Sequence, residues 1–130
     1  SAHQSIGVPQ PLIMFGNEEQ KKKYLTRIAR GQISAFALTE PDVGSDPAKV
    51  ETTVVEAREH FILNGTKLWC TNGTIADVII VMARHPEDDT ISAFIVEMNW
   101  EGVKVEHRCH FMGLRALENG DISFTDVKVP

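Results

Sequence analysis

The sequence predicts a mainly β fold, an antiparallel barrel or sandwich-like domain preceded by a short α-helical segment. Three features carry that expectation. Near Ser34 the apolar spacing changes from helical to two-residue alternation. Short β-prone runs then recur, separated by turn-forming clusters. Val78-Ile79-Ile80-Val81 is continuously apolar, as in a strand buried on both faces.

The helical segment comes first. Pro9 and Pro11 exclude one regular helix over the whole of Ile6 to Phe15. Asn17 is placed to cap a helix from Glu18 to Arg30. Acidic Glu18 and Glu19 fall in its first turn, Arg27 and Arg30 near its end, and Gly31 is a stop. Tyr24, Leu25 and Ile28 form its apolar stripe. Residues 1–32 thus read as the end of a helical domain whose start is missing, and residues 33–130 as the β domain.

The expected strands are 34–38, 51–57, 60–63, 66–70, 77–83, 91–97, 103–107 and 121–125. Asn64-Gly65 predicts a two-residue turn joining the third and fourth of these. The polar run His85 to Thr90 predicts a second hairpin. Asp126 to Pro130 reads as a strand leaving the domain.

Composition narrows the function. The chain has 130 residues, 42% hydrophobic, and no apolar run near the ~20 residues of a membrane helix. A formal charge of −5 argues against nucleic acid as a partner. Lys21-Lys22-Lys23, beside Glu18-Glu19, is the solvated face of a helix. Cys70 and Cys109 are too few for a disulfide scaffold and read as reduced thiols of an intracellular protein. The N-terminus lacks a signal-peptide pattern.

Two segments attract attention as ligand surfaces. Phe36 to Ser45 runs from an apolar strand into a small-residue loop, open both to a plain turn reading and to a ligand-holding one. It fits neither a Walker loop nor a dinucleotide fingerprint. In the second segment Trp69 and Thr71 would share a strand face, which suits a flat heteroaromatic ligand or an ordinary buried tryptophan. His107-Arg108-Cys109-His110 offers three metal donors, but no second ligand pair accompanies it, so no metal site is expected. Glu40, biased to extended or turn geometry before Pro41, is expected to shape its loop through hydrogen bonds rather than transfer protons.

In order and interval these motifs resemble the acyl-CoA dehydrogenase family. They include His3…Ser5-Ile6-Gly7, Phe15 to Lys21, Ala37-Leu38-Thr39-Glu40-Pro41, Gly44-Ser45-Asp46 and Leu63-Asn64-Gly65-Thr66-Lys67. Trp69 to Gly73, Phe94-Ile95-Val96, Met112-Gly113-Leu114-Arg115 and Phe124 to Pro130 complete the series. The resemblance implies the β-barrel middle domain of a three-domain flavoenzyme, with the last helices of the domain before it. FAD would lie against Phe36, Ala37, Leu38, Thr39, Gly44 and Ser45 and against Trp69, Cys70 and Thr71. Thr39 would meet the polar end of the flavin ring, Thr71 the N5 edge, and Trp69 the isoalloxazine plane. Ser45 would also meet the acyl-CoA arm.

The implied reaction is α,β-dehydrogenation of an acyl-CoA thioester, as in the catabolism of fatty or branched-chain acyl groups. A carboxylate takes the α-proton, and the β-hydrogen leaves as hydride to the flavin. The base would be a glutamate beyond Pro130, so no catalytic residue is expected here and the piece alone would be inactive. The implied partners are acyl-CoA, an electron-transferring flavoprotein, the missing helical domains and further subunits. The implied location is the bacterial cytoplasm or the mitochondrial matrix, not outside the cell. Two other readings stand beside this one: a non-catalytic scaffold of the same fold, and an oxygen-using relative such as an acyl-CoA oxidase. The sequence departs from the pattern in places. Phe36 stands where some members carry Tyr, and Asp42 and Val43 where others carry Gly and Ala. Cys70 replaces a frequent Ile, and residues 116–120 lack a common serine.

Overall fold

The computed structural model describes Gln4 and residues 7–130. His3, Ser5 and Ile6 of the motif series lie outside the described residues.

Helix α1 spans Pro9–Phe15. Its prolines begin the helix rather than break it, because N–H groups of the first turn have no intrahelical acceptor to lose. A second helical run comprises α2 (Glu18–Gln20), a π-helical turn (Lys21–Leu25) and α3 (Thr26–Ala29). Asn17 caps it as expected: its side chain accepts from the Gln20 N–H at 2.8 Å, and Gln20 returns the bond at 3.0 Å. At the other end Gly31 takes a φ of 107°. Its N–H donates to Ile28 O, and that of Gln32 to Arg27 O, the Schellman pattern that ends a helix.

Seven strands follow: β1 (Ser34–Ala37), β2 (Thr53–Ala57), β3 (His60–Cys70), β4 (Val78–Arg84), β5 (Ile91–Glu97), β6 (Val103–Arg108) and β7 (Gly120–Val129). They form one sheet in the order β1-β4-β2-β3-β7-β6, with β5 also on β4. Most pairs are antiparallel, as expected, but β1 runs parallel to β4. Because β5 occupies one edge of β4 throughout, β1 and then the start of β2 must share the other edge end to end. The sheet therefore bends at β4.

Three expectations need correction. Asn64-Gly65 makes no turn: β3 is continuous, and the chain reverses instead at Arg58-Glu59, with Arg58 at φ 54°. Gly65 has another task. Its φ is 154°, and a Cβ there would lie 2.8 Å from Thr52 Cα, so glycine permits the close approach of Thr52, just before β2, where β3 shifts register against β7. The closing segment from Asp126 does not leave the domain. It stays on β3, with Val127, Lys128 and Val129 opposite Leu63, Ile62 and Phe61. The strand expected at 121–125 is accordingly the longer β7.

Two cores flank β4. On one side Ala35, Ala37, Ile79, Val81 and Ala83 join Leu63, Phe94, Val96, Ile122, Phe124 and Val127. On the other, Val78 and Ile80 meet Val8, Leu12 and Tyr24 of the helical layer, with Phe36, Leu25 and Ile28 alongside. Alternation along a doubly covered strand thus accounts for the unbroken apolar run at 78–81. A polar staple reinforces the helical layer. Arg27 donates to both Glu97 oxygens, at 2.9 and 3.0 Å, and Lys23 Nζ lies 2.8 Å from Oε1. Arg27 exerts the largest pull on the Glu97 carboxyl, holding it down to about 2 against the opposing effect of burial.

Candidate functional site

The two segments singled out in the sequence meet. After Ala37 the chain leaves β4, and the Leu68 N–H donates to Thr39 O at 2.8 Å. One residue earlier on β3, Lys67 Nζ reaches Leu38 O at 3.3 Å. Glu40 and Val43 then exchange backbone bonds of 3.0 and 3.2 Å, closing a tight turn over Pro41 and Asp42. Val43 is buried, whereas Gly44 and Ser45 are exposed. A Cβ built on Gly44 meets nothing within 4 Å, so the ground above it is open.

Glu40 acts as a loop anchor. Its Oε1 accepts from Lys67 Nζ at 2.6 Å, from the Thr52 N–H at 3.0 Å and from the Thr52 hydroxyl at 2.5 Å. Its Oε2 accepts from the Glu51 N–H at 2.6 Å. Burial pushes this carboxyl up, but Lys67 and the other donors outweigh burial and leave it below its usual range. A carboxylate so fully engaged is a poor general base. Lys67 is equally buried, and desolvation pulls its ammonium down while Glu40 opposes that.

The second segment departs from strand geometry. Lys67 pairs with Ile122 and Cys70 with Gly120, so Leu68 and Trp69 together face the single residue Asp121. This bulge breaks the alternation that would have put residues 69 and 71 on one face. Trp69 takes a left-handed φ of 55°, and its side chain is 57% exposed. Its N–H donates to Asp121 Oδ1 at 2.9 Å. Thr71 lies past the strand end, and its hydroxyl donates to Asn119 Oδ1 at 2.9 Å. Cys70 points inward, and burial pushes its thiol up to about 12. Ala37 also keeps its side chain in the core, and Phe36 is half-buried against the helical layer. At Ala37 and Cys70 only the backbone is available to a ligand.

Sequence reasoning overlooked Lys67, Asn119 and Asp121. The signal for the last two was two polar residues, separated by one residue, leading into the alternating pattern of β7. Lys67 gave none, since an isolated lysine in a strand ordinarily faces water.

Asp121 also revises the metal argument. His107, Cys109 and Asp121 bring a nitrogen, a sulfur and a carboxylate oxygen within 4.8 Å of one another, so the missing donor comes from β7. The three nonetheless satisfy each other. Cys109 Sγ donates to Asp121 Oδ1 at 3.4 Å, and His107 Nε2 lies 3.2 Å from Oδ2. Burial first, and then this bond to Asp121, raises the Cys109 thiol. A cavity of about 700 Å3 lies elsewhere, between α1, the helical run and β5, and includes none of the candidate residues.

The acyl-CoA dehydrogenase middle-domain family model matches residues 35–127, and the N-terminal-domain model of the same family matches residues 1–32. The chain belongs to the acyl-CoA dehydrogenase family. A probable acyl-CoA dehydrogenase of Mycobacterium tuberculosis is 52% identical over 136 residues, covering 100% of this chain and 21% of that protein. The crystal structure of an acyl-CoA dehydrogenase from Geobacillus kaustophilus superposes with a TM-score of 0.92 at 34% identity, over 98% of this chain and 35% of that one. An acyl-CoA dehydrogenase from Bacillus anthracis complexed with FAD gives 0.89 at 43% identity, over 96% and 22%. The chain therefore spans between about a fifth and a third of the length of these relatives. Both the resemblance in the motifs and the mainly β fold expected from it are borne out.

Proposed function

We propose that this chain supplies one wall of the FAD and acyl-CoA site of an acyl-CoA dehydrogenase. The observation that carries the reading is the bond from the Leu68 N–H to Thr39 O, which joins the two candidate segments beside an exposed indole. The residue types gathered here fit a flavin. Trp69 offers an aromatic plane open to solvent. Thr71 offers a hydroxyl two residues away. Thr39 lies at the junction, and Gly44 and Ser45 leave room for a chain-like extension. In this reading Trp69 packs on the isoalloxazine, Thr71 bonds near N5 and Thr39 meets the polar ring end. Phe36, Ala37, Leu38 and Cys70 line the wall, largely through backbone. Ser45 lies between the pyrophosphate and the acyl-CoA arm.

When bound, FAD would accept the electrons removed from the acyl chain; the residues here bind it, orient it and keep one face dry. Hydrogen bonds fixed before the reaction need little reorganisation as charge develops. Glu40 is spent on its loop, so the α-proton goes to a carboxylate elsewhere in the full-length protein. Residues 1–32 close a helical domain and residues 33–130 form the middle domain. An electron-transferring flavoprotein takes the electrons onward, and further subunits of the enzyme complete the site. We place the enzyme in the bacterial cytoplasm or mitochondrial matrix. Among the described residues no helix is long and apolar enough to cross a membrane.

The test is anaerobic titration of the full-length protein with a panel of acyl-CoA thioesters. The expected result is stoichiometric FAD whose visible absorbance bleaches with at least one thioester and recovers with an electron-transferring flavoprotein. Preparations that take up no flavin would overturn the reading. Fast recovery with dioxygen alone would assign an oxidase instead.

A further inference from the structure

We propose that Asp121 is a positioning residue that aims Trp69 at the flavin. This inference rests on the flavin-wall reading above but concerns a side chain that touches no part of the proposed ligand.

The argument begins with the backbone. A left-handed φ, here 55°, is disfavoured at a bulky aromatic residue because its Cβ crowds the following carbonyl oxygen. It persists only where the surroundings fix it. At Trp69 the bulge against β7 puts two residues opposite one, which takes the Trp69 N–H off the regular ladder. Asp121 Oδ1 replaces the missing ladder acceptor at 2.9 Å. The carboxylate is itself held by two groups at the β6 end: the Cys109 thiol shares Oδ1 with the Trp69 N–H at 3.4 Å, and His107 Nε2 lies 3.2 Å from Oδ2. Asp121 is buried, which limits access of water to its carboxylate. The chain of contacts therefore runs from β6 through Asp121 to the Trp69 backbone. Its outcome is an indole turned out of the sheet. Without the acceptor, the Trp69 N–H would lose its partner on β7, and the simplest remedy is for residues 68–69 to slip back toward regular strand. That would move the indole away from its outward position.

The test uses the full-length protein and two variants. Asp121→Asn keeps an oxygen at the acceptor position; Asp121→Ala removes it. Two readouts apply: FAD affinity with the flavin visible spectrum, and fluorine NMR of the 5-fluorotryptophan-labelled apoprotein, with the Trp69 signal assigned by its loss in Trp69→Phe. Asp121→Asn should hold FAD affinity within about two-fold and leave the Trp69 signal in place. Asp121→Ala should weaken FAD about ten-fold, alter the flavin spectrum, and shift or split the Trp69 signal. If Asp121→Ala does not fold, Asp121→Glu, which displaces the acceptor by one methylene, should give the same pair of changes. A folded Asp121→Ala or Asp121→Glu protein with wild-type affinity and an unmoved Trp69 signal would overturn the proposal alone. Absence of FAD from the wild-type protein would overturn the flavin reading and this inference together.

Discussion

Lys67 Nζ stands 2.6 Å from Glu40 Oε1, with 0% and 2% of the two side chains exposed. This ion pair ties the candidate loop to the middle of β3. Both members are desolvated, so each depends on the other. Removing one partner of a buried pair typically costs about 3–5 kcal/mol, because the remaining charge is stranded. Lys67→Met and Glu40→Gln should each destabilise the fold by about that amount, measured by urea denaturation. Denaturation curves within 1 kcal/mol of wild type, by the same scale, would count against an ion-paired anchor.

The Glu97 staple makes a prediction about acid. Its folded value of about 2 lies below the ordinary 4.5, so its contribution is fully present above pH 4.5 and is lost as pH falls through about 2. Allowing for solvent around Lys23 and Arg27, the contribution is on the order of 2 kcal/mol. Stability against pH should therefore fall more gently between pH 4.5 and 2 in Glu97→Gln than in wild type. Parallel slopes would show that the staple does not hold the helical layer.

At the proposed flavin wall, Trp69→Ala should weaken FAD about ten-fold while leaving the fold intact, since the residue is mostly outside the core. Thr71→Val should change the flavin spectrum and slow its reduction more than it changes affinity. Isothermal titration and stopped-flow bleaching read the two effects separately. Unchanged affinity in Trp69→Ala would remove the platform role.

The thiols should differ in reactivity. Cys70 is 2% exposed with its thiol pushed up to about 12, while Cys109 is half-buried with a smaller rise. Under native conditions a disulfide-exchange reagent should spare Cys70 entirely and label Cys109 slowly, faster in Asp121→Asn. Peptide mapping of the labelled sites checks this.

Gly65→Ala should cost about 1–3 kcal/mol despite its place in a strand. The added methyl would meet the Thr52 backbone at 2.8 Å and fix an unfavourable φ. A neutral effect in thermal denaturation would show that β2 and β3 can separate there without loss.

Local chemistry settled much of this protein. The Asn17 cap, the Gly31 stop and the helical stripe of Tyr24, Leu25 and Ile28 depend on neighbours within a few residues, so the sequence declared them. The doubly buried run at Val78 to Val81 and the loop-shaping role of Glu40 were legible for similar reasons. Ordered motifs were enough to point to the family. Tertiary structure decided the rest. Asn64-Gly65 has turn chemistry, but pairing of β3 with β7 on both sides of it overrides that chemistry. Parallel pairing of β1 with β4 joins segments more than forty residues apart, which no local pattern encodes. The outward turn of Trp69 depends on a bulge, and a bulge is a mismatch between two strands rather than a property of either. Lys67 and Asp121 look like surface charges in isolation. Only the folded sheet brings them the partners that let charge remain buried.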